Sequence, residues 1–381
     1  MKLALIGNLF DGRFDLSRLA AVLADRGHDV EVITASAPSC PSAAGGFDVV
    51  PIFGEGAVPQ EPEMIGPTIS EIGRFLADRW QRATPDIVHC HGWTYGMAAL
   101  LAARRTHIPI VQSYHGLADT AAQSASTPAS DSRRNIEALL AKSATVVTTS
   151  CTDDMLEVIR MGCPRPRASV LPPGIDIDEA GVVEMRPTSA GARQQVVSLT
   201  EDFSSRSSVD RVITALRSLP TAELVMVSMT GADPTDLRRL HGVAERLGIS
   251  SRIRVVTSGA GPELSAHLRS ADVVVCPTAH DPHATLALRG MAAGTAVVAV
   301  ESGGARDAVV ADVTGVLVPP GSTEALGRAV RSLLGQAVLR QGMGLAGRAR
   351  VRSRYCWDRI ATDAEVVYQS ARQRSGSALT H

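Results

Sequence analysis

Aromatic side chains are scarce in this sequence. Phe, Trp and Tyr make up only 3% of 381 residues, so any core must be built mainly from Val, Leu, Ala and Ile. Lysine is nearly absent, with only Lys2 and Lys142, and arginine supplies almost all the positive charge. The formal net charge is −1, which argues against a nucleic-acid or anionic-membrane footprint. The six cysteines are scattered, with no C-x-x-C and no Cys/His ligand spacing. Most sit in or beside apolar runs and read as buried free thiols rather than disulfides or metal ligands. No stretch reaches the ~18 uninterrupted apolar residues of a membrane span, and the run Met1–Ile6 is too short for a signal peptide. The expectation is a cytoplasmic chain with no transmembrane segment. A G-x-S-x-G elbow is missing, which excludes the usual serine-hydrolase arrangement. His89 and His91 stand two apart with no third ligand in sequence reach, so no metal site is expected. The one G-x-G-x-x-G, Gly342–Gly347, follows no strand and is not a dinucleotide fingerprint.

What is present is alternation. Short β-branched runs such as Lys2–Ile6, Val30–Thr34, Pro85–His91, Val146–Ser150, Gln195–Thr200, Ala222–Ser228 and Ile253–Val256 are separated by amphipathic helical stretches. That pattern is α/β with parallel sheets. The length suits two domains of ~100–200 residues. The patternless segment Glu179–Gln194 reads as the linker between a domain at 1–180 and another at 190–355. Residues 37–66 and 118–132 read as loose or mobile loops, and about Arg340 through Arg374 as one long helical region. Arg133 and Glu137 are spaced as an i,i+4 pair, which on a helix is usually a solvated face.

Residues 271–304 concentrate the chemistry. Val273–Cys276 reads as a buried strand, Pro277–His283 as a polar loop, Ala284–Ala293 as a helix capped by Gly294, and Thr295–Val300 as a second strand before Gly303-Gly304. Ligands of such a unit sit beyond the carboxyl ends of the strands. This run resembles the donor-sugar signature of glycosyltransferase family 4, retaining enzymes of the GT-B architecture. Their pattern is Glu-Pro-Phe-Gly-Leu, a second Glu with seven residues between it and the first, then Met-Ala-Cys-Gly-Thr-Pro-Val-Val. The frame is present as Pro282, Leu288, Met291–Thr295 and Val297-Val298, with Asp281 for the first Glu, His283-Ala284 for Phe-Gly and Arg289 for the second Glu. Arg26–Val30 matches the family's R-G-H-x-V. Pro85–His91 resembles P-D-V-V-H-A-H, and Pro172–Asp176 resembles the end of V-V-P-N-G-V-D. Tyr355-Cys356-Trp357 resembles the Y-S-W where the terminal helix crosses back to the first domain.

The resemblance implies two Rossmann-like domains facing each other across a cleft, with the terminal helix, 356–381, packed on the first. It implies a nucleoside-diphosphate sugar as donor, a small-molecule acceptor and neither metal nor other cofactor. The implied catalytic residues are His115 and Asp281. The donor side would use Gly7, Asp202, Arg206, Ser207, Thr285, Leu286 and Arg289, and the acceptor side Asn8, His91 and Trp93. Each histidine also has a plain reading, as a strand-end residue for His115 and His91 and a structural one for His89. The cation slots of the family's G-R-L-x-x-x-K-G hold Asp202 and Ser207, with Ser208 in the glycine slot, so the site meant for a diphosphate has lost charge. Two readings follow. One is an active glycosyltransferase with an altered donor site; the other is a catalytically silent GT-B protein that acts as a binding or partner subunit. The opposite signs at Asp202 and Arg289 further predict an ion pair between them.

Overall fold

The computed structural model describes residues 1–9, 14–35, 45–53, 65–118, 128–177, 193–257, 261–279 and 281–378. Gly12, in the loop after the first strand Lys2–Ile6, most of the linker expected at 179–194, and much of the two expected loops therefore lie outside the described residues. The chain divides into two compact units, Met1–Gly174 with Trp357–His381, and Ile175–Cys356. The division falls inside Pro172–Asp176, ahead of the expected linker.

The first unit holds a parallel sheet of β1 (Lys2–Ile6), β2 (Asp29–Thr34), β3 (Asp48–Pro51), β4 (Ile87–His91), β5 (Ile110–Tyr114), β6 (Val146–Thr149) and β7 (Ala168–Val170). Their spatial order is β3-β2-β1-β4-β5-β6-β7. Side chains alternate between two cores, as strand pleating requires. Leu3, Leu5, Val30 and Val32 pack against α1 (Leu16–Asp25) and the terminal helix, Trp357–Ala378. Ala4, Ile6, Ile33 and Val88 pack on the opposite face against α2 (Ile65–Arg82) and α3 (Trp93–Ala102). The Asp15 carboxylate caps α1 by accepting from Arg18 N at 3.0 Å. Two further helices complete the unit, α4 (Pro128–Ser143) and α5 (Thr152–Arg160). Helix α4 begins inside the segment expected to be a loop.

The second unit repeats the plan with β8 (Gln194–Thr200), β9 (Ala222–Ser228), β10 (Ile253–Val256), β11 (Val273–Cys276), β12 (Ala296–Val300) and β13 (Val316–Val318), in the order β10-β9-β8-β11-β12-β13. Its helices are α6 (Val209–Leu216), α7 (Pro234–Arg246), α8 (Gly261–Ser270), α9 (Thr285–Ala292), α10 (Gly304–Ala308), α11 (Thr323–Gly335) and α12 (Ala337–Arg354). Val196, Leu224 and Val273 enter one core, and Val197, Val225 and Val274 the other. β1 and β8 head separate sheets, so the chain is a pair of Rossmann-like units, the GT-B architecture.

The long helical region expected from about Arg340 through Arg374 is two helices, parted at Tyr355-Cys356. Tyr355 sits at φ −128 and ψ 6, and its carbonyl accepts from Ile175 N at 2.8 Å. Gly174 is required there, because a Cβ on it would lie 2.3 Å from the Trp357 ring.

In both sheets the strand order reverses beside the first strand, between β1 and β4 and between β8 and β11. Loops leaving adjacent strands at such a point diverge to opposite faces and open a crevice at the carboxyl ends. At the opposite, amino end of β8 and β11 the second unit holds a largely buried ion pair. Arg340 Nη2 meets Asp272 Oδ1 at 3.0 Å, with the two side chains 8% and 16% exposed. Asp272 Oδ2 also accepts from Gln195 N at 2.8 Å. Removing one partner strands the other charge away from water. Asp272→Ala should therefore lower unfolding free energy by roughly 3–5 kcal/mol, read as a lower urea midpoint, whereas an unchanged midpoint would show the pair to be idle.

Candidate functional site

At the switch point of the first unit, the loops after β1, β4 and β5 enclose a pocket of about 220 Å³ lined by Asn8, Phe14, His91, Trp93, Tyr95, His115 and Arg133 among others. Of the residues expected to act, Asn8, His91, Trp93 and His115 are thus brought together. Gly7 lies just behind them, where a Cβ would come within 2.9 Å of the His91 Cβ, so the close approach needs glycine. Asn8 Oδ1 accepts from the Tyr95 hydroxyl at 2.8 Å. Gln112, buried beneath, donates its amide to Gly92 O at 3.1 Å and Ser113 O at 2.9 Å. It thereby pins the Gly92 turn, at φ +93, from which α3 starts. Phe14, Tyr95 and Arg133 are not among the residues expected to act. Phe14 precedes α1 in a loop without pattern; the Arg133 spacing was visible but read as a solvated face.

Three histidines occupy the end of this sheet. His91 Nδ1 and His115 Nε2 are 2.9 Å apart, and Phe14 lies 4.9 and 4.7 Å from the two rings. Two residues back along β4, the His89 ring lies 4.2 Å from that of His91, tilted by 38°. His89 Nδ1 meets the Tyr368 hydroxyl at 2.8 Å and its Nε2 meets Ser113 Oγ at 2.7 Å. Burial drives the His89 pKa down to about 3, with the charge of His115 adding to the effect. Burial likewise holds His91 well below the ordinary value, followed by repulsion from His89 and His115. Both rings are consequently neutral near pH 7, each with one donor and one acceptor nitrogen. His89 is a structural tie, as its alternation into the sheet suggests. His91 and His115 form a short-range pair at the pocket wall.

In the second unit the expected residues cluster on the loops after β8 and β11. Asp202 is exposed, and its Oδ1 accepts from Ser204 N at 2.9 Å. The expected Asp202–Arg289 ion pair does not form, because the aspartate is spent on its own turn. Arg206 is exposed, while Ser207 is buried and donates its hydroxyl to Ser204 O at 2.7 Å. On the other loop, Asp281 Oδ1 accepts from His283 N at 3.1 Å. Asp281 O accepts from Gly304 N at 2.9 Å. Gly303 and Gly304 make this contact possible, since Cβ atoms there would fall 2.9 Å from Asp281 O and 2.7 Å from Pro282 O. Leu286 is buried, and Thr285 and Arg289 are half-buried on α9. The hydroxyls of Thr278 and Thr285 have no hydrogen-bond partner among the described residues. No group of three metal-ligating side chains occurs among the described residues, and no described helix is long and apolar enough to cross a membrane.

Residues 14–174 match the family described as a glycosyl transferase 4-like domain, and residues 189–350 match the one described as glycosyl transferases group 1. The chain belongs to the GT4-like glycosyltransferases. Among curated relatives of this GT4-like glycosyltransferase is the D-inositol 3-phosphate glycosyltransferase of Xylanimonas cellulosilytica, 28% identical over 380 residues, covering 93% of this chain and 90% of the relative. Solved structures with the same fold include sucrose-phosphate synthase from Thermosynechococcus elongatus, with a TM-score of 0.79 at 21% identity, covering 96% of this chain and 98% of that one. Another is Anabaena HepE in complex with UDP, with a TM-score of 0.77 at 18% identity, covering 97% and 100%.

The neutral His89 of this GT4-like glycosyltransferase makes stability depend on pH. Its folded pKa, about 3, lies below the ordinary 6.5, so the unfolded chain binds the extra proton first. The stability is intact above pH ~6.5 and declines as pH falls toward ~3, by up to ~1.4 kcal/mol per pH unit for one such group. Urea midpoints between pH 7 and 4 should fall steeply in the wild type and less steeply in His89→Gln. Parallel curves for the two proteins would contradict the assignment.

Proposed function

We propose that the protein is a retaining glycosyltransferase whose nucleoside-diphosphate-sugar site relies on main-chain amides more than on side-chain cations. The observation that carries this reading is a pair of left-handed residues at the starts of two helices, Ser208 at φ 58 before α6 and Ala284 at φ 52 before α9. Family members resembling this chain place glycine in both slots. A left-handed conformation costs an L-residue roughly 1–2 kcal/mol, so the backbone shape is kept although the glycines are gone. That shape presents the first amides of each helix toward the crevice, where a helix N-terminus favours an anion.

In this reading the diphosphate lies against the loop 201–208 with Arg206 as its nearest flexible cation. The amides of Thr285 and Leu286 hold phosphate and sugar, and the Asp281 carboxylate binds sugar hydroxyls. Arg289 stands in the slot of a ribose-binding Glu. Being unable to accept a hydrogen bond, it selects a different contact to the nucleoside, such as stacking or a donated bond. In the first unit His115 contacts the donor sugar, and Asn8, His91 and Trp93 shape the acceptor side, with Gly7 letting the β1 loop approach. Electrostatic stabilisation of the leaving diphosphate is the main demand of the reaction, and amides can meet part of it.

The silent-subunit reading is favoured by one specific observation. Asp202 is exposed where a cation is expected, and the Ser207 hydroxyl is committed to Ser204. Calorimetric titration with UDP, GDP and ADP and their sugars separates the two readings. Binding of one nucleotide, followed by transfer to an acceptor panel that includes D-inositol 3-phosphate, supports the enzyme; silence across the set supports the subunit.

The charge account makes a sharper prediction. Asp202→Arg with Ser207→Lys should tighten nucleoside-diphosphate binding, each restored cation contributing about 1.5–3 kcal/mol. Unchanged or weaker nucleoside-diphosphate binding by the double variant would refute that account.

A further inference from the structure

The helical pair Arg133/Glu137 is not a solvated face. The Glu137 side chain is 0% exposed and that of Arg133 32%. Both carboxylate oxygens of Glu137 are used. Oε1 accepts from Arg133 Nε at 2.7 Å, and Oε2 accepts from Ala118 N at 3.0 Å. Arg133 in turn donates from Nη2 to Gly116 O at 2.8 Å. The Tyr114 hydroxyl donates to the backbone carbonyl of Glu137 at 2.7 Å. Helix α4 thus grips residues 114, 116 and 118, the chain on both sides of His115.

We propose that Glu137 is a positioning residue for the first-unit pocket, acting through Arg133 and the 116–118 backbone to hold His115 against His91. The inference rests on the transferase reading of that pocket. Glu137 itself does not line the cavity; Arg133 and Gly116 do. A buried carboxylate with two charge-assisted or backbone donors is a rigid strut. The guanidinium fork has one preferred orientation once its Nε is bound, so it fixes the Gly116 carbonyl by geometry as well as attraction. Gly116, at φ +97, is the flexible point directly after His115. Arg133 and Glu137 tie the chain to α4 at Gly116 and Ala118, so without the strut the turn loosens and the 2.9 Å approach of His115 to His91 is lost.

The strut also sets the electrostatic character of the pocket. Arg133 enters the lining already neutralised by a carboxylate on the same helix, and it offers donated hydrogen bonds more than net charge. Its remaining N–H groups suit a hydroxyl-bearing acceptor held by direction.

The test uses full-length protein labelled with [15N]histidine, with side-chain signals assigned by single His→Gln replacements. Glu137→Gln keeps size and an acceptor for Ala118 but removes the charge that holds Arg133. Arg133→Lys keeps the charge but loses the fork. In both, the His91 and His115 ring signals should move away from their positions in the unaltered protein at pH 7.5, while His28 and His267 stay in place. If either variant fails to fold, the other decides. Unmoved His91 and His115 signals in a folded variant would overturn the proposal, and a general loss of stability without the selective shift would do the same. This readout needs no donor, so it stands apart from the outcome of the nucleotide titrations. Where transfer is detected, Glu137→Gln should lower kcat by about 10²-fold through misplacement of His115, with the donor KM little changed. Equal losses in kcat and 1/KM would also count against it.

Discussion

A parallel sheet covered by helices on both faces leaves only its strand ends open to solvent. Both units of this chain obey that constraint, and the placement of every candidate residue follows from it. The β-branched strands are buried on two sides, so polar side chains with work to do are pushed to the carboxyl ends. There, the reversal of strand order beside β1 and beside β8 separates neighbouring loops and makes room. His91, His115 and Asn8 occupy that position in one unit, and Asp281, Thr285 and Ser207 in the other. The low aromatic content reinforces the pattern. Aliphatic cores fill the sheets, while Phe14, Trp93, Tyr95 and Tyr114 gather at the pocket.

Much of the fold was legible because buried parallel strands leave an unmistakable trace. Val273–Cys276 and Ala296–Val300 are nearly pure β-branched or small apolar runs, and Gly294 marks the helix end between them. Less legible were the boundaries decided by long-range contacts. The break at Tyr355-Cys356 depends on Ile175 reaching the Tyr355 carbonyl, a pairing that no local pattern encodes. The start of α4 at Pro128 was hidden in a run of small polar residues that reads equally well as loop.

The candidate site was legible in outline and misread in charge. Reversed signs at Asp202 and Arg289 suggested a reciprocal pair, yet Asp202 closes its own turn with Ser204. Short-range hydrogen bonds of Asp and Ser to nearby amides compete with distant partners, and they usually win because little entropy is lost. The opposite error occurred at Glu137. An i,i+4 pair looks the same in sequence whether it faces water or a buried turn, and only the packing of α4 against residues 114–118 distinguishes the two. Backbone conformation was also invisible. Nothing in the letters Ser208 or Ala284 announces a left-handed residue, since glycine is the usual signal for one.

The terminal helix carries a consequence for how the chain is made. Ile360, Ala364, Tyr368 and Ala371 belong to the core of the first unit, although the whole second unit precedes them in the order of synthesis. A ribosome delivers residues from the N-terminus onward, and domains usually fold as they emerge. Here the second unit can close its core while the first still waits, with Leu3, Leu5 and Val30 uncovered on one face. The buried His89 gains its Tyr368 partner only after the whole second unit has been made. The unit that begins the chain is therefore the one that finishes folding last, and it is the one exposed to chaperones and proteases for the longest interval.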